Sequence, residues 1–477
     1  MCYIILVLCR ENVKNYCRGM NDMEMKIEFK RKIYDKILKW KQTSDGSTAL
    51  MIEGARRVGK SHIAEEFARA EYKSYILIDF NKASNEVKEL FNNYLDDLDT
   101  FFMYLSGYYN IKLHPRKSLI IFDEVQLFPR ARSAIKFFVE DGRYDYIETG
   151  SLVSINKNTE GIVIPSEERR ISMNPMDFEE FLWALGNDTL MPIIKNNFEK
   201  KIPMGQAMHR KAMDYFRQYM IIGGMPQAVK EYIKTRDFDM VDAVKRDILN
   251  LYRNDIRKHA EGNELKAENI FDEIPSQLQK HEKKFKLSSL KKEARFRDYE
   301  EAIFWLKDSR IVNIAFNTTE PNIGLRLNED RTTLKCYMAD TGLLISHSFD
   351  ENGIVSEEIY KKLLFDKLEV NKGMLVENIV AQMLTATGRK LFFYSNSSRD
   401  AEQRMEIDFL IAKDKISSRH NISPLEVKSS KRYTLTSLKK FIKRYKENLH
   451  IPYVLHASDL KVEDGITYLP LYMTPLL

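Results

Sequence analysis

The chain has 477 residues, of which 44% are hydrophobic and 30% charged. That length exceeds what one ordinary core serves, so roughly two to four domains are expected, and the composition excludes a disordered chain. A net charge of +6, spread along the sequence, admits nucleic acid as a partner without requiring it.

The four cysteines, Cys2, Cys9, Cys17 and Cys336, form no CxxC pair. Neither a disulfide framework nor a zinc site is expected, and a reducing, cytoplasmic location follows. The apolar run from Tyr3 to Leu8 is too short to span a bilayer and lacks the preceding basic residues of a signal peptide, so no membrane association is expected. Residues 1–26 read as a poorly patterned N-terminal tail, within which Met20, Met23 and Met25 offer later starts.

Residues 27–175 read as an α/β core. Helical spacing over Ile27–Trp40 precedes a short buried strand at Ala49–Glu53, and a second helix runs from Lys60 to Tyr72. Further strands are predicted at Tyr75–Phe80, Ser118–Phe122 and Tyr146–Glu148. Strands alternating with helices imply a parallel sheet covered on both faces. Residues 176–262 are helical in pattern, broken at Pro192, Pro203 and Gly223–Pro226. Residues 263–334 read as helix, turn, helix, closed by a β-wing at Ile311–Phe316, which is the pattern of a winged helix. The chain returns to α/β over 335–477, with a helix at Val376–Ala386 and strands at Leu391–Tyr394, Glu406–Ile411 and Pro424–Lys428.

The first strand runs into Gly54-Ala55-Arg56-Arg57-Val58-Gly59-Lys60-Ser61, which fits G-x-x-x-x-G-K-[ST] at every fixed position. The glycines let backbone N–H groups close around phosphates, with the following helix N-terminus adding its dipole. Lys60 would reach the β- and γ-phosphates of ATP, and Ser61 would give a hydroxyl to Mg²⁺. Asp123 and Glu124 end an apolar strand, where ligands of open α/β sheets bind. Asp123 would hold the metal shell, and Glu124 would polarise the attacking water. Thr149 and Ser151 end the next strand and are candidates for the γ-phosphate or that water; a plain turn is the bland alternative. Arg169 and Arg170 precede the helical region, where either an arginine finger reaching a second copy of the chain or a solvated pair would serve.

GARRVGKS (54–61), FDEVQ (122–126), TGS (149–151) and PMDFEEFL (175–182) resemble the AAA-type ATPases of prokaryotes that carry a C-terminal domain of unknown function. IGGMPQAV (222–229), LYRNDIRKHA (251–260), YMADTGLL (337–344), GMLVENIVAQML (373–384), EIDFLI (406–411) and PLEVKSS (424–430) extend the likeness over about residues 28 to 475. The resemblance implies an AAA+-like P-loop core, a winged-helix segment and a C-terminal restriction-endonuclease-like fold. The polar stretch 156–168 departs from the tighter turn usual there, which weakens the arginine-finger role.

Glu377, on a helix, and Asp408, Glu426 and Lys428, in strands, form a second candidate set. Residues two apart in a strand share a face, so Glu426 and Lys428 converge. The set resembles the PD-(D/E)xK nuclease pattern, in which carboxylates hold Mg²⁺ and the lysine orients water. Structural ion pairs within a retained fold explain it equally. Two basic clusters, Lys283–Arg297 and the run from Lys428 to Arg444, suit DNA or plain solvation. Two functions thus stand side by side: an ATPase acting on DNA with a C-terminal nuclease, or a nucleotide-gated switch whose C-terminal fold is a silent docking domain. A homo-oligomer fits either.

Overall fold

The computed structural model describes residues 28–151, 166–260, 262–280, 284–322, 324–349, 360, 372–413, 420–430 and 432–477. The expected N-terminal tail and most of the polar stretch before Arg169 lie outside them. The first described helix, α1, covers Ile33–Ser44.

Five parallel strands form the N-terminal sheet: β1 (Ala49–Glu53), β2 (Ser74–Asp79), β3 (Ser118–Asp123), β4 (Asp145–Gly150) and β5 (Glu168–Ser172), in the order β2-β3-β4-β1-β5. Helices cover both faces, which is why β1, β3 and β4 are buried along their whole length. On one face, Leu50, Ile52, Leu119, Ile121 and Ile147 pack with Ile63 and Phe67 of α2 (Lys60–Glu71). The other face carries Met51, Ile120 and Phe122 against α3 (Asn85–Asn93), α4 (Leu98–Tyr109) and α5 (Pro129–Asp141). An aromatic cluster fills that side, with Phe91 edge-on to Phe101 at 5.1 Å between ring centroids.

α3 and α4 fall where no element was expected. Arg169 and Arg170, expected ahead of a helix, both lie in β5, an edge strand pairing with β1. This strand is polar and is held from below: Arg132 of α5 grips Glu168 with two bonds of 2.9 and 3.0 Å, both side chains being fully buried. Arg170 turns back to Glu168 at 2.6 Å, while Arg169 faces solvent.

The middle of the chain is helical as expected: α6 (Phe178–Ala184), α7 (Leu190–Lys200), α8 (Gln206–Ile222), α9 (Pro226–Thr235) and α10 (Phe238–His259). Buried Asp340 accepts the Gly224 N–H at 2.6 Å, which joins the IGGMP and YMADTG segments. Gln382, Tyr219 and the Met176 carbonyl extend this buried relay toward the sheet.

Helices α11 (Glu264–Gln279) and α12 (Phe296–Asp308) lie in the segment read as helix, turn, helix. The strand expected as a wing at Ile311–Phe316 is β6 (Val312–Thr318), and it pairs antiparallel with β7 (Glu329–Met338). This hairpin is not self-contained. After α13 (Thr341–Ser348) and α14 (Lys372–Ala386) come β8 (Phe392–Asn396), β9 (Met405–Ala412) and β10 (Ile422–Val427). Beyond α15 (Thr436–Tyr445) lie β11 (Tyr453–His456), β12 (Lys461–Glu463) and β13 (Ile466–Pro470). β6 pairs in parallel with β8, so one eight-stranded mixed sheet runs β12-β13-β11-β10-β9-β8-β6-β7. A boundary at residue 334 therefore cuts through β7, because the two apolar strands of the hairpin bury themselves as the edge of the larger sheet.

α15 turns Leu438, Phe441 and Tyr445 inward and leaves Lys439, Lys443 and Arg444 exposed, as on a solvated helix face. Lys291, Lys292, Arg295 and Arg297 are likewise exposed. Among the described residues, no helix is long and apolar enough to cross a membrane.

Candidate functional site

The P-loop links β1 to α2 and needs its glycines for different reasons. Gly59 has φ +99°, a region that L side chains avoid. At Gly54, a Cβ would lie 2.3 Å from the Met173 carbonyl oxygen, because the chain leaving β5 passes directly beside the loop. Lys60 is buried and folds back, donating to the carbonyls of Gly54 at 3.0 Å and Ala55 at 3.1 Å. Burial is the main force on this ammonium and pulls it down to about 8, against the pull of Glu124 and Asp123.

The strand order places the remaining groups. β4 lies between β1 and β3, so the ends of all three strands meet beside the loop. Ser61 Oγ donates to Asp123 Oδ1 at 2.6 Å, and the Thr149 hydroxyl donates to the same oxygen. Burial pushes the Asp123 carboxyl above the usual carboxylate range, and these two hydroxyls offset part of that. Glu124 has φ +53°, a left-handed conformation uncommon outside glycine. It costs on the order of 1–3 kcal/mol and recurs at functional sites. Its carboxylate accepts from Gln126 Nε2 at 2.5 Å and from Ser151 Oγ at 3.4 Å. The structure therefore brings Lys60, Ser61, Asp123, Glu124, Thr149 and Ser151 together at one end of the sheet. Arg169 and Arg170 stand on the edge strand and do not line this cleft.

The cleft, of about 520 Å³, is closed on its far side by elements whose part the sequence analysis did not identify. Phe29 precedes α1, Pro226, Gln227 and Lys230 come from the start of α9, and Asp255 and His259 come from the end of α10. Asp255 pairs with Arg56 of the P-loop at 2.5 Å, and Tyr252 Oη donates to the Arg56 carbonyl at 3.2 Å. Buried Arg31 donates to the Val58 carbonyl at 3.0 Å and to the Asn174 carbonyl at 2.8 Å. The α10 segment is conspicuous in the sequence only as LYRNDIRKHA, and nothing in its spacing announces a partner on the P-loop.

The C-terminal carboxylates also converge, but around a residue the sequence analysis did not single out. Lys335 of β7 is 0% exposed. Its Nζ lies 2.9 Å from Glu406, 3.2 Å from Glu377 and 3.7 Å from Asp408. Burial works against this charge, yet the three carboxylates hold its pKa above the usual lysine range. Tyr337 Oη also donates to Glu377, at 2.5 Å. Lys428 Nζ meets Glu426 at 2.7 Å, as strand geometry predicts, while the Val427 N–H binds Asp408 at 2.8 Å. Burial, with Asp408 adding to it, raises the Glu426 carboxyl to about 7.

Three family models match in succession: an AAA domain over residues 46–182, a domain of unknown function (DUF8612) over 213–352, and another (DUF4143) over 372–473. No curated protein is a match. Similar solved structures include a Walker-type ATPase of Pyrococcus abyssi, 14% identical, with TM-score 0.39 over 69% of this chain and 98% of that one. They also include the Orc1 protein of Aeropyrum pernix in complex with DNA, at 9% identity and TM-score 0.27, over 70% of this chain and 96% of the other. Cdc6p of Pyrobaculum aerophilum is 10% identical, with TM-score 0.26 over 73% and 99%. These superpositions are loose. The sheet order and the AAA match, which contains the P-loop, the acid pair and Thr149, carry the assignment of the first domain.

Proposed function

We propose that this chain, whose residues 46–182 form an AAA-type P-loop ATPase domain, binds ATP with Mg²⁺ in the 54–61 loop and hydrolyses it. The observation that carries this reading is the convergence of Lys60, Ser61, Asp123 and Glu124 at one end of the parallel sheet. The loop N–H groups and Lys60 take the phosphates. Ser61 and Asp123 are hard oxygen donors already within 2.6 Å of each other, a set that suits Mg²⁺ shared with phosphate oxygens. Bound there, Mg²⁺ supplies charge neutralisation at the transferring phosphoryl group. Glu124 accepts the proton of the attacking water, Thr149 holds Asp123 and the Glu124 backbone, and Ser151 orients the Glu124 carboxylate. Purified protein is expected to release phosphate from ATP in the presence of Mg²⁺ and to stop when the metal is chelated. Release that continues undiminished under chelation argues against this site.

A pH dependence follows from Lys60. Burial holds it at about 8, and phosphate anions favour its charged form. Binding therefore takes up a proton as pH rises past that value, and ATP affinity falls on the alkaline side. Calorimetry at pH 8 in buffers of different ionisation enthalpy is expected to show net proton uptake, and Lys60→Met abolishes it.

The contact of α10 with the P-loop supports a nucleotide-gated switch within the same reading. Any shift of the loop on nucleotide binding is passed through Arg56 to Asp255 and so to the helical region. For the C-terminal sheet, Lys335 favours docking over cleavage. Its ammonium already sits among Glu377, Glu406 and Asp408, in the place where a nuclease would need a metal ion.

A further inference from the structure

A second cavity, of about 260 Å³, lies where the P-loop backbone meets α12 and the eight-stranded sheet. Ala55 forms part of its wall, with Met173 and Asn174 of the chain leaving β5. The rest comes mainly from α12, the β6–β7 hairpin, the end of α14 and the segment following it.

The wall is strongly cationic. Among its described lining residues, Glu329 is the one carboxylate, and Arg331 pairs with it at 3.0 Å. Arg310 is held by Glu53 at the end of β1. Those two pairs balance. Lys307, Arg326 and Lys390 line the same space with no carboxylate at ion-pair distance among the described residues. Arg389 also lines it, bonded to the Ala412 carbonyl and to an oxygen of the terminal residue Leu477.

Lys307 is the most telling of these. Its ammonium lies over two rings, 5.1 Å from the centre of Phe316 and 5.6 Å from that of Phe304. Ring quadrupoles compensate a buried cation only in part. Burial lowers its pKa, with Lys390 and Arg310 adding to the effect against the opposing pull of Asp308 and Glu329. In the same lining, Thr385 Oγ1 is buried with no hydrogen-bond partner among the described residues. A half-buried ammonium, an unused hydroxyl and further cations around one enclosed space are what an anion with several oxygens requires.

We propose that this cavity is a binding site for a phosphate group, held by Lys307 and Thr385 with Arg326, Arg389 and Lys390 around it. The phosphate comes either from a small phosphorylated molecule or from the end of a nucleic-acid strand, both of which present the same chemistry. The site is distinct from the nucleotide cleft, although Ala55 of the P-loop lines its wall, and it does not depend on the proposed ATPase activity.

The test uses the full chain carrying Lys60→Ala, which weakens phosphate binding at the P-loop, with melting temperature as the check on folding. Pyrophosphate and a short oligothymidylate with a 5′-phosphate are titrated by calorimetry. At least one of them is expected to bind saturably. Adding Lys307→Met is expected to remove one equivalent or weaken it about tenfold or more, the factor carried by one charge-assisted hydrogen bond. Adding Lys307→Arg instead is expected to keep it. Tighter binding of the phosphorylated oligonucleotide than of its 5′-hydroxyl counterpart assigns the nucleic-acid source, and preference for pyrophosphate assigns the small molecule. If neither ligand binds the folded protein, or if Lys307→Met leaves stoichiometry and affinity unchanged, the proposal is overturned. A further equivalent that persists beside Lys307→Met points to residual P-loop binding and counts against the role given to Lys60, not against this site.

Discussion

Glu124→Gln is expected to leave ATP bound while lowering turnover by about 10²- to 10⁴-fold, the range that a positioned general base contributes. The amide keeps the shape of the side chain and one oxygen for the bonds from Gln126 and Ser151, but it cannot take the proton of water. Lys60→Ala is expected to remove binding and turnover together, because the buried ammonium is the group that reaches the phosphates. The contrast between the two variants is the informative result. Equilibrium binding of a fluorescent ATP analogue, set beside steady-state phosphate release, separates them. Turnover in Glu124→Gln equal to that of the parent would sink the assignment and turn attention to Asp79. That carboxylate ends the neighbouring strand and lines the same cleft, and its ion pair is with the exposed Lys82 at 3.3 Å, where Asp255 is paired with Arg56.

The nucleotide half of this site was legible in the sequence because its chemistry is local. Eight consecutive residues make the loop, and an apolar run ending in two acids makes the facing strand, so spacing and residue type suffice. β5 was not legible for the opposite reason. Glu-Arg-Arg-Ile-Ser has no apolar alternation, and it is a strand because β1 offers an edge and Arg132 holds Glu168 from the helix beneath. Helices α3 and α4 were legible in principle. Ser84 and Asp97 cap them, accepting from the backbone N–H groups of Val87 and Thr100, and this start signal went unread. The wing shows a different limit. Helical pattern and the strand at Ile311–Phe316 were read there, while β7 was not. The parallel partner of β6 lies some 80 residues further on in β8, and periodicity carries no information about long-range pairing. The same distance hid Lys335. A lysine in a strand reads as a solvent-facing residue until three carboxylates from a helix and another strand are seen to enclose it.

Lys335→Met is expected to destabilise the C-terminal sheet by about 3–5 kcal/mol, the cost of removing one partner from a buried ion cluster. Methionine keeps the length of the side chain, so little packing is lost. What changes is that Glu377, itself only 2% exposed, keeps Glu406 and Asp408 close by and loses the ammonium that lies within reach of all three. Buried like charges without that counter-ion are costly to keep ionised, and protonation at low pH relieves the cost. The defect is therefore expected to be large at pH 8 and to shrink as pH falls toward about 5. Urea unfolding at several pH values measures both the size and the slope. Glu377→Gln placed on top of Lys335→Met removes the most buried of the like charges, and it is expected to recover part of the loss, a coupling that a double-mutant cycle isolates. A Lys335→Met protein within about 1 kcal/mol of the parent at pH 8 would show that Lys335 does not neutralise this cluster. In that case the carboxylates would again be open to a metal ion, and the docking role proposed for this domain would lose its main support.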